Sequence, residues 1–200
     1  IGAGTAVLAA FFGTLMGLLA GFFKSLDAVL MRLVDAMMAF PDILLGIALV
    51  SILGASPVNV VLALTLVYTP RVARVVRAST LVIRELPYIE AAHAVGLSTP
   101  RLLFKHILPN AILGATAQLP MRMAWAVRIS ATLAFIGVGI QAPTPEWGAM
   151  IRQGAEYVIT GEWWAALFPG LALMALVLGF NLLSDGLTDL LDPKRRGVGK

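Results

Sequence analysis

The sequence predicts an all-α fold: a polytopic helical bundle that crosses a membrane five times. Three observations predict it. Apolar residues make up 59% of the chain and charged residues only 13%, where a soluble domain carries roughly 25% charged. Mean hydropathy is +0.88, more apolar surface than one water-soluble core of this size can hide. The basic residues sit in short gaps between the apolar runs, not in one patch, which excludes a nucleic-acid footprint. Backbone groups inside lipid must be satisfied within their own segment, so the runs read as helices. The absence of cysteine excludes disulfides and thiolate metal sites.

Each element follows in order. Residues 1–23 carry no charge and would extend about 34 Å at roughly 1.5 Å per residue, enough to span. A secretory signal would show a basic start and a shorter core, so the run reads as a first span of an internal fragment. Residues 24–35 form a short polar connection. The second span is predicted over 36–53, with Pro41 and Asp42 near its start, and Gly54-Ala-Ser-Pro57 is a turn signal. The third span runs from about 58 to Pro70 and continues as a helix through a basic stretch to Arg84. Residues 85–110 form a polar loop. The fourth span covers 111–139, interrupted by Arg122 and Arg128. A second polar loop fills 140–162, the fifth span 163–184, and a tail 185–200.

Charge orients the bundle by the positive-inside rule. Lys24 and Arg32, then Arg71, Arg74, Arg77, Arg84, Arg101 and Lys105, then Lys194, Arg195, Arg196 and Lys200 all fall on one side. The opposite side holds Arg152. The loop 85–110 and the tail are therefore expected in the cytoplasm and residue 1 outside, so an odd number of spans should precede it. Trp147, Trp163 and Trp164 then lie at the outer interface, where aromatic belts form.

The loop 85–110 carries the densest local signals. Pro87 disfavours helix at Leu86 and suits a first helical turn. Residues 88–95 read as a short helix with Gly96 as a left-handed stop. Thr99 as N-cap and Pro100 at the first helical position predict a second helix, with Leu102, Leu103, Ile107 and Leu108 as its apolar stripe and Pro109 ending it. Ala91, Ala92 and Ala94 are small, so another protein's surface can approach closely. Glu90 places a carboxylate near a helix N-terminus, available to an external arginine.

Glu90-Ala-Ala92, Gly96 and Leu108-Pro109 together resemble the EAA loop of ABC-transporter permeases, the element by which a membrane subunit docks on its ATPase. The pattern's usual aliphatic position holds His106, which fits the peptide branch of the family. Similarity extends along nearly the whole chain. Leu30-Met-Arg-Leu-Val-Asp35 with Phe40-Pro41, Leu133-Ala-Phe-Ile-Gly-Val-Gly139, Pro143-Thr-Pro-Glu-Trp-Gly148, Phe168-Pro-Gly170 and Asp185-Gly-Leu-Thr-Asp-Leu-Leu-Asp-Pro193 resemble the dipeptide, oligopeptide and nickel permeases, the tail being typical of their C-type subunit. Six spans are usual there; five are present here.

The resemblance implies a type I ABC importer permease fold. It implies a permease domain over 1–184 and a cytoplasmic tail over 185–200. It also implies a docking loop with Tyr88, Glu90, Ala91, Ala92, Gly96, Leu108 and Pro109 as its site residues. The implied partners are a second permease subunit, two ATP-binding cassette subunits, an extracytoplasmic solute-binding protein and lipid, in a bacterial or archaeal cytoplasmic membrane. ATP chemistry would belong to the partner subunits; no catalytic residue, cofactor, metal or nucleic acid is expected. The implied activity is alternating-access import of peptides or a related small solute. An ion-driven secondary transporter would call for intramembrane acids around a midplane site, and a membrane scaffold would need no docking loop.

Arg122 and Arg128 stand inside a predicted span, where a cation costs several kcal/mol unless paired or hydrated. They are candidates for the translocation path, attracting an anionic group of the solute; pairing with an acid of the partner permease, or snorkelling to the interface, is the alternative. Ser130 stands where many relatives carry Glu. Arg32 and Asp35, spaced i,i+3, predict a local ion pair. Arg71, Arg74 and Arg77 share a helix face and are expected to meet lipid headgroups. His93 and His106 are too few for a metal site. Gly13, Gly17 and Gly21 predict close helix packing. No phosphate-binding Gly-rich loop or Ser/His/Asp set occurs.

Overall fold

A computed structural model of the chain describes residues 1–191. Every element in it is helical: α1 Gly2–Phe22, α2 Lys24–Met38, α3 Asp42–Leu53, α4 Pro57–Ile83, α5 Pro87–Ala94, α6 Thr99–Leu102, α7 Leu108–Ala111, α8 Leu113–Ala117, α9 Leu119–Ile136, α10 Trp147–Tyr157 and α11 Trp164–Leu191. Among the described residues four helices are long and apolar enough to cross a membrane, or five if the bent pair of α2 and α3 is one span.

The centre of the bundle is the seam between α1 and α4. Residue numbers rise together along it, so the two helices run parallel. Gly13 faces Val72, Gly17 faces Val76 and the Ala73 carbonyl, and Gly21 faces Thr80. A Cβ at Gly17 would lie 2.5 Å from the Ala73 oxygen. Only glycine allows this approach, which replaces missing hydrophobic drive in lipid by backbone-to-backbone packing. Around the seam, Leu18, Val60, Leu64, Val72, Val76 and Leu133 form the buried core. By contrast α11 packs on α9 and α10 and keeps Phe168, Met174, Leu178 and Leu182 exposed.

Several sequence-based expectations are corrected. Residues 24–35 are not a connection but most of α2. Its charges Asp27 and Asp35 point at α4, so the segment is polar on one side only. The second span does not start at 36. Its helix begins at Asp42, after a 93° bend for which Pro41, extended at the N-cap of α3, is responsible. With 12 residues, α3 reaches about 18 Å and cannot cross about 30 Å of hydrocarbon alone. The fourth span is not one run over 111–139: α8 and α9 are separated at Gln118. Pro120 lacks an N–H for the Thr116 carbonyl, and the Ser184 hydroxyl of α11 donates to the neighbouring Ala117 carbonyl at 3.3 Å. The loop 140–162 contains α10, whose N-cap Glu146 accepts from the Ala149 N–H at 3.0 Å. The last helix continues past 184 to Leu191. The basic tail residues Lys194, Arg195, Arg196 and Lys200 lie outside the described residues.

Candidate functional site: the loop 85–110 and an arginine cluster

Two regions hold the residues singled out in the sequence. The first is the loop. Leu86 is extended ahead of Pro87, which opens α5, as the steric demands of proline require. Gly96 has φ +78°. Its N–H donates to the His93 carbonyl at 2.9 Å and the Leu97 N–H to the Ala92 carbonyl at 3.1 Å, a Schellman closure of the helix. The second helix differs from expectation. Ser98, not Thr99, is its N-cap, and makes no side-chain cap bond. Nor does Pro109 end it: residues 103–107 form a π turn, and α7 follows with Pro109 in its first turn. The widened turn absorbs the missing proline N–H.

Burial divides the loop into two faces. Ile89, Leu102, Leu103 and Ile107 are buried and join the bundle core. Tyr88, Glu90, Ala91, Gly96 and Pro109 are exposed, while Ala92 and Leu108 are half-buried. The loop is thus anchored by its apolar side and presents a small-residue surface with one carboxylate. Among the described residues Glu90 makes no ion pair.

The second region lies between α2–α3, α4 and α9. Three arginines on successive turns of α4 each meet an aspartate. Arg71 grips Asp42 with both nitrogens (2.6 and 2.9 Å), Arg74 meets Asp35 (2.5 Å), and Arg77 grips Asp27 (2.5 and 2.6 Å). This corrects two expectations. The three arginines do not point to lipid headgroups, and Asp35 pairs with Arg74 and not with Arg32. The acids arrive from 29 to 50 residues away, beyond any local spacing rule.

Arg71 also lies 5.7 Å from the ring centre of Tyr68 and 5.4 Å from that of Trp125; Arg128 lies 5.7 Å from the same Trp125 ring. Such distances allow cation–π attraction. Arg128 is exposed and opens into a cleft of about 550 Å³ with Asp42, Arg71 and Phe40. Arg122 is half-buried in a separate cavity of about 210 Å³ beside Arg71 and Trp125. Its Nη2 donates to Gln118 Oε1 at 3.0 Å. Ser130 is buried, and its hydroxyl has no hydrogen-bond partner among the described residues. Sequence reasoning named Arg122 and Arg128 but missed Asp42, Tyr68, Gln118 and Trp125. Pro120 was the available signal for the break that brings Gln118 into place.

Residues 11–197 match the model of the family described as binding-protein-dependent transport system inner membrane component. The chain belongs to this family. A putative peptide transport system permease of Brucella suis biovar 1 is 43% identical over 199 residues, all of this chain and 67% of that protein. The dipeptide transport permease DppC of Alkalihalophilus pseudofirmus is 42% identical over 92% of this chain and 61% of its own length. The glutathione transport permease GsiD of Pectobacterium atrosepticum is 44% identical over 91% and 60%. The chain thus spans about two thirds of the length of these permeases. Among solved structures, the inward-facing MetNI methionine ABC transporter superposes with TM-score 0.66 at 22% identity, covering 94% of this chain and 91% of that one. An amino acid ABC transporter does so with TM-score 0.56 at 19% identity, covering 98% and 90%. The fold is that of ABC importer permeases, and the protein is a multi-pass component of the inner membrane.

Proposed function

We propose that this permease forms one side of the translocation path of an ATP-driven importer for peptides or a related small solute, with the loop 85–110 as its docking element for an ATP-binding cassette subunit. The family match over 11–197 carries the reading. The names of the relatives, which speak of peptide, dipeptide and glutathione transport, support the solute class. Its partners are a second permease subunit, two ATPase subunits that carry all ATP chemistry, and an external solute-binding protein.

The loop is built for force transfer. Its buried side is continuous with the core through Ile89 and Ile107, so a push on the exposed side at Glu90 and Ala91 moves packed helices. The ladder of Arg71, Arg74 and Arg77 with their aspartates ties the bent pair α2–α3 to α4, so these helices move as one body. Arg122 and Arg128 belong to the path. Co-purification of the ATPase subunits with the tagged permease, followed by ATP-dependent uptake of labelled dipeptide in proteoliposomes supplied with the binding protein, tests the reading. Uptake without ATP, driven by an ion gradient, would overturn it.

A further inference from the structure

The cavity between α4 and α9 holds an unbalanced charge. Arg71 and Arg122 line it beside Trp125; Arg128 reaches the same ring from the neighbouring cleft, where Asp42 also lies. Arg71 commits two nitrogens to Asp42. Among the described residues Arg122 makes no ion pair, and its Nε is buried without an acceptor. A cation within a span needs water, an acid or an anionic ligand.

We propose that this cavity is a carboxylate subsite of the path, in which Arg122 receives the carboxylate of a passing solute. The inference deepens the transport reading and rests on it. A carboxylate is the anion that a guanidinium edge takes through two parallel hydrogen bonds. Gln118 holds the Arg122 side chain by one Nη2–H at 3.0 Å, which leaves the other Nη2–H and the Nη1 hydrogens for a carboxylate. Tyr68 and Trp125 line the cavity and can cover the apolar part next to the carboxylate. Arg71 adds positive potential while its hydrogen bonds stay with Asp42, so it attracts the anion without clamping it. That suits a site that must release as well as bind. The volume of about 210 Å³ holds roughly seven waters at about 30 Å³ each, room for one end of a small peptide. Arg128 lies outside this subsite, on the open cleft.

Fluorine NMR on the assembled transporter in nanodiscs, with the tryptophans of the full-length chain replaced by 5-fluorotryptophan, tests this directly. The Trp125 signal is assigned by its loss in Trp125→Phe. Titration with N-acetyl-alanylalanine should shift that signal saturably, at about tenfold lower concentration than its C-terminal amide. Arg122→Gln should erase the difference and Arg32→Gln should keep it. Equal titration by acid and amide, or no shift of Trp125, would overturn the subsite and favour an acid of the partner permease as the mate of Arg122. If Arg122→Gln does not assemble, the acid–amide contrast in the unsubstituted protein decides. ATP-driven uptake by the same purified transporter reconstituted into proteoliposomes separates the two claims. Uptake without a carboxylate response sinks the subsite alone, and a carboxylate response without ATP-driven uptake sinks the transport reading.

Discussion

Arg71 and Asp42 are joined by two parallel hydrogen bonds, of 2.6 and 2.9 Å, that fasten the first turn of α3 to the middle of α4. Both side chains are roughly two-thirds shielded, at 32% and 28% exposure. Removing the acid strands a guanidinium in apolar surroundings, a cost of about 1–3 kcal/mol. Asp42→Asn should therefore lower the melting temperature of the purified transporter. The double change Arg71→Met with Asp42→Leu should restore part of the loss, since it leaves no unpaired charge. A single substitution without thermal effect would show that the pair does not hold α3.

The glycine seam makes a contrast within one protein. Gly17 has the Ala73 carbonyl oxygen 2.5 Å from where a Cβ would sit, while Gly179 on α11 has nothing within 4 Å. Gly17→Leu should cut membrane levels severalfold, because overpacking costs about 1–3 kcal/mol. Gly179→Leu should be near neutral. Immunoblots of membrane fractions compare them, and equal levels for the two would refute the packing assignment.

Orientation is checked by labelling. Ser98 and Thr144 are both exposed, in loops assigned to opposite sides. In intact cells a cysteine at Thr144 should react with an impermeant thiol reagent, and one at Ser98 should react only after permeabilisation. The reverse pattern would invert the topology.

Glu146, the N-cap of α10, gives a pH signature. Burial pushes its carboxyl above the ordinary 4.5, against hydrogen bonds from the Ala149 and Gly148 N–H groups that pull it down. The folded state therefore binds the proton more tightly than the unfolded one. This contribution to stability is fully present below about pH 4.5 and is lost as pH rises through the folded value. The stability difference between wild type and Glu146→Gln should shift in favour of wild type as pH falls from 7 toward 4.5. A pH-independent difference in melting temperature would contradict it.

Much of this was readable in the sequence because lipid imposes simple rules. α1 and α4 follow from uncharged or weakly charged runs, and the elbow at Gly96 from a glycine two residues before a Ser-Thr-Pro start. What was not readable depends on distance in space. The charges of α2 look like a connection until Asp27 and Asp35 are seen to face arginines on α4. Arg32 and Asp35 are near in sequence, yet Arg74 wins Asp35 because α2 and α4 lie side by side. The break at Gln118 and the cap at Glu146 did carry local signals, in Pro120 and in the acid before Trp147. Both were masked by the surrounding apolar or Pro-rich composition.

The central claim is that the exposed face of the loop couples ATP hydrolysis to movement of the bundle. Glu90 supplies its charge, and Gly96, at φ +78°, its elbow; a β-branched residue there costs about 1–2 kcal/mol or more without any clash, since nothing lies within 4 Å of the Cβ position. The most direct measurement compares ATP hydrolysis and solute uptake in the same proteoliposomes for wild type, Glu90→Lys and Gly96→Val. The expected result is normal membrane levels of each variant, with ATP hydrolysis uncoupled from uptake and uptake lost. Normal ATP-driven uptake with either change would contradict the account.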